Sequence, residues 1–289
     1  MKKLLSVPGI IALAGLILLA TLFSGCVGST GDKNTGSAAK TIETLRVTGS
    51  TTVLPIAQLT AEAYMEENLY ADILVSGGGS SVGVQAVGEG TADIGMASRD
   101  LKEAEKETYP DLVSHVVARD GIAVIVHRDN PVEKLTIGEV KSVYKGEITN
   151  WKELGGDEME IVVVGRDSAS GTKEYFYKSV MDKEDFVRTQ LEKNSNGAVK
   201  QTIAQTPGAV GYVSLGYIDN TLLAVKIKDG GKFVEPTVDN VINGDYPIAR
   251  SLNMFTKGEP TGLAAEYLAY ITGADGQKLV AEEGFVPLA

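Results

Sequence analysis

Three short stretches concentrate hydrogen-bond donors. They are "TGSTTVLP" with Ser50, Thr51 and Thr52, "SGGGSSVG" with Ser80 and Ser81, and "GRDSASGTKEYF" with Arg166, Ser168, Ser170, Gly171 and Thr172. Each follows an apolar run of strand type and opens a run of helical type. The first turn of a helix leaves backbone N–H groups unpaired and carries about half a positive charge. Glycine lets the backbone approach a ligand closely, and hydroxyls add donors. Each turn is therefore a small anion site. Serine and threonine also cap helices with no ligand present, so one such turn decides nothing. Three in one strand–helix series favour an anion.

Other chemistries lack their parts. No turn has the G-x-x-x-x-G-K-[ST] pattern of a nucleotide loop, and "GGGSSVG" is not a G-x-G-x-x-G fingerprint. "SASGT" lacks the leading glycine of a G-x-S-x-G elbow. His115 and His127, the two histidines, lie in strand-like apolar contexts and are expected to be structural. With those two and the single Cys26, a zinc site is not expected. The acidic run "KEAEKE" at 102–107 reads as a solvated helix face. Neither enzymatic activity, metal nor cofactor is expected.

The elements that must position the turns alternate. "TLRVTGS", "ADILVSGGGS", "ADIGMAS", "EIVVVGRDSASG" and "GAVGYVSLGY" read as strands or strand ends, and "LPIAQLTAEAYMEEN", "SVGVQAVGEG", "IGEVKSVYKG" and "TKEYFYKSVM" read as helices. That pattern predicts an α/β fold with mainly parallel pairing. Two extended apolar segments, 121–131 and 246–258, read as links between two halves. The final helical stretch, from "GLAAEYLAYITG" on, is expected to return to the first half. Two domains joined by two crossovers leave a cleft, where small ligands tend to sit.

The 289 residues suffice for two such domains. Net charge is −11 with no basic cluster, which argues against nucleic acid. Mean hydropathy is near zero, which excludes a multi-span membrane protein. Lys2, Lys3 and the apolar run Ile10–Phe23 form a leader too short for a transmembrane helix. "LFSGC" resembles a lipobox, with Phe23 where Leu is usual, and predicts lipidation at Cys26. Residues 27–40, rich in Gly, Ser and Thr, read as a flexible tether.

In order from about residue 45 to the end, "GSTTVLPIA", "GGGSSVGVQAV", "ADIGMASRDL", "KGEITNWKELGG", "VGRDSASGTKEYF", "NGAVKQTIAQTPGAVGYVSLGY" and "GFVPL" resemble the phosphate-binding proteins of ABC-type phosphate importers. The resemblance implies a two-lobed type II periplasmic-binding-protein fold with hinge strands and the ligand in the cleft between lobes. The expected division is 1–25 signal peptide of lipoprotein type, 26–41 tether, 42–122 with 251–289 as lobe I, and 123–250 as lobe II. It implies that Arg166 pairs with the anion, and that Ser170, Gly171, Thr172, Ser80 and the first-loop residues Ser50, Thr51 and Thr52 donate to it. Many members carry Ala-Ser-Asp after the third strand, where the aspartate accepts the ligand's own proton. Here Arg99 intervenes before Asp100, so either Asp100 is the acceptor or Arg99 is a second cation. Such a carboxylate distinguishes protonated phosphate from sulfate, which would leave it unpaired. Asp167 is expected to orient an arginine or cap the helix. The implied partners are inorganic phosphate, the permease and ATPase subunits of an importer, and the membrane through a lipid anchor. The chain is then an exported monomer on the outer face of the cytoplasmic membrane. The alternatives are another oxyanion (sulfate, molybdate, tungstate or arsenate), or a surface receptor that senses phosphate.

Overall fold

The computed structural model describes residues 41–288. The expected leader, the Cys26 lipidation site and the tether up to residue 40 lie outside the described residues. In chain order the first part comprises β1 (Glu43–Gly49), α1 (Leu54–Glu67), β2 (Ala71–Gly77), α2 (Ser80–Gly88), β3 (Ile94–Ala97), α3 (Glu103–Thr108) and β4 (Leu112–His127). Then follow β5 (Lys134–Thr136), α4 (Ile137–Lys145), β6 (Val162–Arg166), α5 (Gly171–Ser179), β7 (Leu191–Lys193), α6 (Asn196–Gln205) and β8 (Ala209–Ser214). The chain closes with β9 (Leu222–Ala224), β10 (Lys226–Lys228), α7 (Val238–Ile242), β11 (Ala249–Lys257), α8 (Gly262–Thr272) and α9 (Ala274–Glu282).

Local sequence accounts for these boundaries. Pro55 sits in the first turn of α1, where its missing N–H costs nothing. The helix then turns Ile56, Ala57, Thr60, Ala61 and Tyr64 to one buried face. Thr136 and Glu139 form a reciprocal capping box at the start of α4, and left-handed Gly146 ends it. Trp151, in a short 3-10 turn, is buried and donates its indole N–H to the Gly208 carbonyl at 2.9 Å.

Nine strands form one sheet in the order β2-β1-β3-β11-β4-β8-β6-β7, with β9 also on β4. Within each half the β1, β2 and β3 pairs and the β6, β7 and β8 pairs are parallel. The pairs made by β4 and β11 in this sheet are antiparallel. The expectation of mainly parallel pairing therefore holds inside each half and fails at the junction, because the two linking strands run against each other.

Two apolar cores flank that junction. The first holds Val47, Ile56, Met96, Tyr267 and Phe285, and the second Tyr144, Trp151, Phe176, Val199 and Tyr212. β4 gives Val117 and Ala118 to the first core and Ile122–Val126 to the second. β11 gives Leu252 and Met254 to the first, while Ile248, just before it, joins the second. Both strands thus cross between lobes at the Asp120–Arg250 register pair. The terminal helices α8 and α9 break at Gly273 and place Leu263, Tyr267, Ile271 and Val280 in the first core. Val286 then exchanges backbone hydrogen bonds with Arg119, at 2.8 and 3.0 Å.

Helix α2 lies against the sheet without an intervening side chain. A Cβ on Gly83 would stand 2.6 Å from the Met96 carbonyl oxygen and 2.8 Å from both Gly49 Cα and the Thr48 carbonyl oxygen. All three are backbone atoms, which cannot swing aside. Gly83→Ala should therefore lower unfolding stability by about 1–3 kcal/mol, the usual range for overpacking. Urea denaturation measures this, and no loss of stability would show that α2 can shift.

Candidate functional site

The donor-rich turns all converge where the two cores face each other. β1 ends at Gly49, whose φ of +135° suits glycine. Ser50 then bends the chain back: its Oγ accepts from the N–H groups of Thr52 and Val53, at 3.2 and 3.4 Å. Its hydroxyl oxygen therefore supports the turn. Thr51 and Thr52 point across the cleft. Thr51 Oγ1 accepts from Arg166 Nη2 at 3.2 Å and from Asn196 Nδ2 at 3.3 Å. Thr52 Oγ1 lies 3.1 Å from Thr172 Oγ1 and 3.0 Å from Asn196 Nδ2.

The second turn places Ser80 at the start of α2, where its Oγ accepts from the Ser98 N–H at 3.1 Å. In the third, Ser170 caps α5 by accepting from Lys173 N–H at 3.2 Å. The cap is Ser170, so the expected capping role of Asp167 is not seen. Gly171 fits directly over the second turn: a Cβ there would stand 2.3 Å from Ser80 Oγ and 2.9 Å from Ser98 Oγ. The backbone joins as well, since Ser81 N–H donates to the Ala169 carbonyl across the cleft at 3.1 Å. Thr52, Ser80, Ser98 and Thr172 are each about 1% exposed.

Arg166 is the charge at the centre. It closes β6, and its backbone N–H donates to the Tyr212 hydroxyl at 3.3 Å. Tyr212 is stacked on Phe176 at 4.1 Å between centroids, so an aromatic pair backs the arginine. The guanidinium donates through Nε to the Lys193 carbonyl and through Nη2 to the Asn194 carbonyl, both at 3.2 Å. Nη1 is buried with no partner. Its partners are neutral dipoles, and no carboxylate among the described residues pairs with it. Burial pulls its pKa down from the ordinary value, yet an arginine stays charged in proteins. The result is a buried cation whose Nη1, with its two N–H donors, is unused.

A second arginine was not singled out in the sequence. Arg250 on β11 is paired with Asp120 on β4, Nη2 to Oδ2 at 2.8 Å and Nε to Oδ2 at 3.0 Å, both side chains 1% exposed or less. Arg250 also donates to the Ser98 carbonyl at 3.0 Å and to Thr172 Oγ1 at 3.1 Å. Asp120 Oδ1 accepts from Ser214 Oγ at 2.7 Å and from Leu215 N–H at 3.2 Å. The pair is thus satisfied on both sides and neutral overall. Asn196 and Ser98 were missed too. A signal existed for Arg250 and Asp120: each interrupts an apolar linking strand, and a charge in such a strand needs a partner.

Arg99 and Asp100 are not brought into the hydroxyl cluster. Arg99 is buried but engaged: Nη1 and Nη2 each lie 2.7 Å from Glu105, and Nε lies 2.9 Å from Glu174 as an ion pair. The expected solvated face of "KEAEKE" is corrected accordingly, because its Glu105 turns inward to hold Arg99. Asp100 is exposed, with Oδ1 3.5 Å from Asn253 Nδ2. Burial pushes the Glu174 carboxyl up, but Lys102, Arg99 and Lys178 outweigh it and hold it below its ordinary value. His115 bonds Thr256 on the neighbouring strand, away from the cluster.

A two-lobed α/β body with hinge strands and a polar, cationic cleft defines a solute-binding protein. The chain matches the family model described as a PBP superfamily domain over residues 34–275. It is 39% identical to the phosphate-binding protein PstS of Bacillus subtilis over 269 residues, which cover 91% of this chain and 88% of that one. It is 30% identical to the phosphate-binding protein PstS of Pseudomonas aeruginosa, covering 83% and 81%. A Clostridium perfringens protein solved with bound phosphate is similar at TM-score 0.81 and 36% identity, over 86% of this chain and all of that one. An ABC-type phosphate transport receptor from Vibrio cholerae is similar at TM-score 0.69 and 32% identity, over 84% of this chain and 100% of that one. The chain belongs to the PstS family of phosphate-binding proteins, whose members are binding proteins and not enzymes.

Breaking the Asp120–Arg250 pair by Asp120→Ala should cost about 3–5 kcal/mol of unfolding stability, because it strands a buried charge. Chemical denaturation tests this. A loss under about 1 kcal/mol would place the pair among weak surface bridges.

Proposed function

We propose that this chain captures inorganic phosphate in the cleft and delivers it to the permease and ATPase subunits of an ABC importer. The observation that carries the reading is the buried Arg166 guanidinium, with Nη1 unpaired amid hydroxyls contributed by both lobes. An oxyanion supplies what that cation lacks. Arg166 offers charge in fork geometry, while Thr51, Thr52, Ser80, Ser170 and Thr172 offer hydroxyls. The backbone at Gly171 and the first turn of α5 add N–H donors. The negative net charge of the molecule does not oppose capture, because local donors hold the ion.

Lobe I is then 42–122 with 251–289, and lobe II is 123–250. The protein works as an exported monomer, with a leader over 1–25, a lipid on Cys26 and a tether up to residue 41. These assignments rest on the sequence pattern at the N-terminus and on the family.

Phosphate selection follows from which groups accept. Asp120 receives four hydrogen bonds on its two oxygens, about its full capacity, so it has no lone pair for a ligand proton. Asp100, in water, does not impose the penalty of a stranded buried carboxylate on sulfate. The hydroxyls can accept a hydrogen bond from the P–OH of phosphate, and they reject sulfate less sharply. This favours a second reading in which other oxyanions enter.

Calorimetric titration with phosphate and then sulfate tests the function. Saturable one-to-one phosphate binding is expected, and Arg166→Ala should weaken it at least about tenfold, a loss of about 1.4 kcal/mol or more. Tight sulfate or molybdate binding without phosphate binding would replace the ligand. Asp100→Asn should leave the phosphate-to-sulfate ratio within about twofold of the parent, since exposed charges act weakly. A collapse of that ratio would make Asp100 the acceptor.

A further inference from the structure

We infer that Glu174, reaching across the cleft mouth to Arg99 and Lys102, is a clasp that sets how firmly the anion is held without touching it. Glu174 lies in the first turn of α5, on the lobe that carries Arg166. Its Oε2 is 2.9 Å from both Arg99 Nε and Lys102 Nζ, on the opposite lobe between β3 and α3. Its Oε1 is 3.0 Å from Lys178 Nζ on its own helix.

The cationic half of the clasp is built in advance. Glu105 holds both Nη atoms of Arg99, and its Oε2 also accepts from Lys102 N–H at 2.9 Å. Arg99 Nη2 further donates to Ser81 Oγ at 3.2 Å. The guanidinium is therefore held in place, and its Nε meets Glu174 Oε2 at 2.9 Å as a charge contact without a hydrogen bond. The Arg99 and Glu174 side chains are 3% and 17% exposed, so solvent screens this contact less than a surface pair.

Position ties the clasp to closure. Glu174 is one helical turn from Ser170 and Gly171, the residues that meet Ser80 and Ser98. The ion pairs join residues of different lobes, so they form only when α5 seats on the second turn. A contact present in only one of two states biases the equilibrium toward it by its whole energy, and a ligand that needs that state gains the same factor. The sign of the effect separates this role from simple electrostatics. Glu174 is a carboxylate beside a site for anions, so removing its charge should tighten anion binding by Coulomb's law alone. Removing a clasp should weaken binding.

This inference rests on the reading of the cleft as a phosphate site, and the test keeps the two apart. The full chain, Glu174→Gln and Lys102→Met are titrated calorimetrically with phosphate and with sulfate. Hydrogen exchange at the Ser81 amide, which bridges to Ala169 across the cleft, is followed with no anion added. Glu174→Gln should weaken whichever anion the parent chain takes by about tenfold, and Lys102→Met by a smaller factor. Ser81 exchange should quicken in both. Equal or tighter affinity together with unchanged Ser81 exchange would overturn the clasp. A parent chain that takes sulfate and not phosphate would overturn the phosphate reading alone. If the parent takes neither, the Ser81 exchange decides. Lys102, 38% exposed, can be changed without emptying the core, so one variant remains informative should Glu174→Gln fold poorly.

Discussion

One constraint organises the molecule: a guanidinium taken out of water with no carboxylate bonded to it among the described residues. Stripping an ion of its hydration costs several kcal/mol even after relaxation. Arg166 is 1% exposed and meets carbonyls of β7 and the following residue, and the Thr51 hydroxyl, all neutral. Much of the second core serves to keep it there. Tyr212 receives its backbone N–H, Phe176 stacks on Tyr212, and Tyr144 packs edge-on to Phe176 at 5.0 Å while its hydroxyl binds the Val164 carbonyl. A paired arginine would be stable and useless for capture. An unpaired one is held here by neutral carbonyl and hydroxyl partners and the aromatic pair behind it.

The other arginine shows the opposite treatment. Arg250 is neutralised by Asp120 across the two strands that join the lobes. Its remaining donors go to groups of both lobes, Ser98 on one side and Thr172 on the other. The hinge is therefore not a bare pair of strands. It carries a polar node that bonds the first and third turns through Thr52 and Thr172 and reaches the second only through Ser98, which meets Ser80, so the position of one lobe is felt by the other through a few hydrogen bonds.

What the sequence disclosed was local. The three turns were legible because each brings its glycines, hydroxyls and flanking periodicity within about ten residues of chain. The linking strands were legible as long apolar runs. What stayed hidden depends on pairs far apart in the chain: Asp120 with Arg250 is 130 positions away, and Asn196 meets Thr51 across 145. Arg99 stands where many relatives carry the acceptor aspartate and so read as an alternative second cation, but it is engaged by Glu105 and Glu174. The acidic run containing Glu105 has the composition of a wet surface, and only the fold turns one of its members inward. The antiparallel junction was also invisible, since strand direction is decided by topology and not by residue type.

The close seating of α2 on Gly49 and the Met96 carbonyl bears on when disorder is lost. With no side chain between helix and sheet, the first and second turns form a single stiff block, already shaped once the chain has folded. Their donors have little freedom left to give up when an ion arrives. Preorganisation of this kind transfers the entropic cost from the capture step to folding. On the proposed reading, capture then asks little reordering of the first two turns, whose places are set by the packing of Gly83 on the sheet.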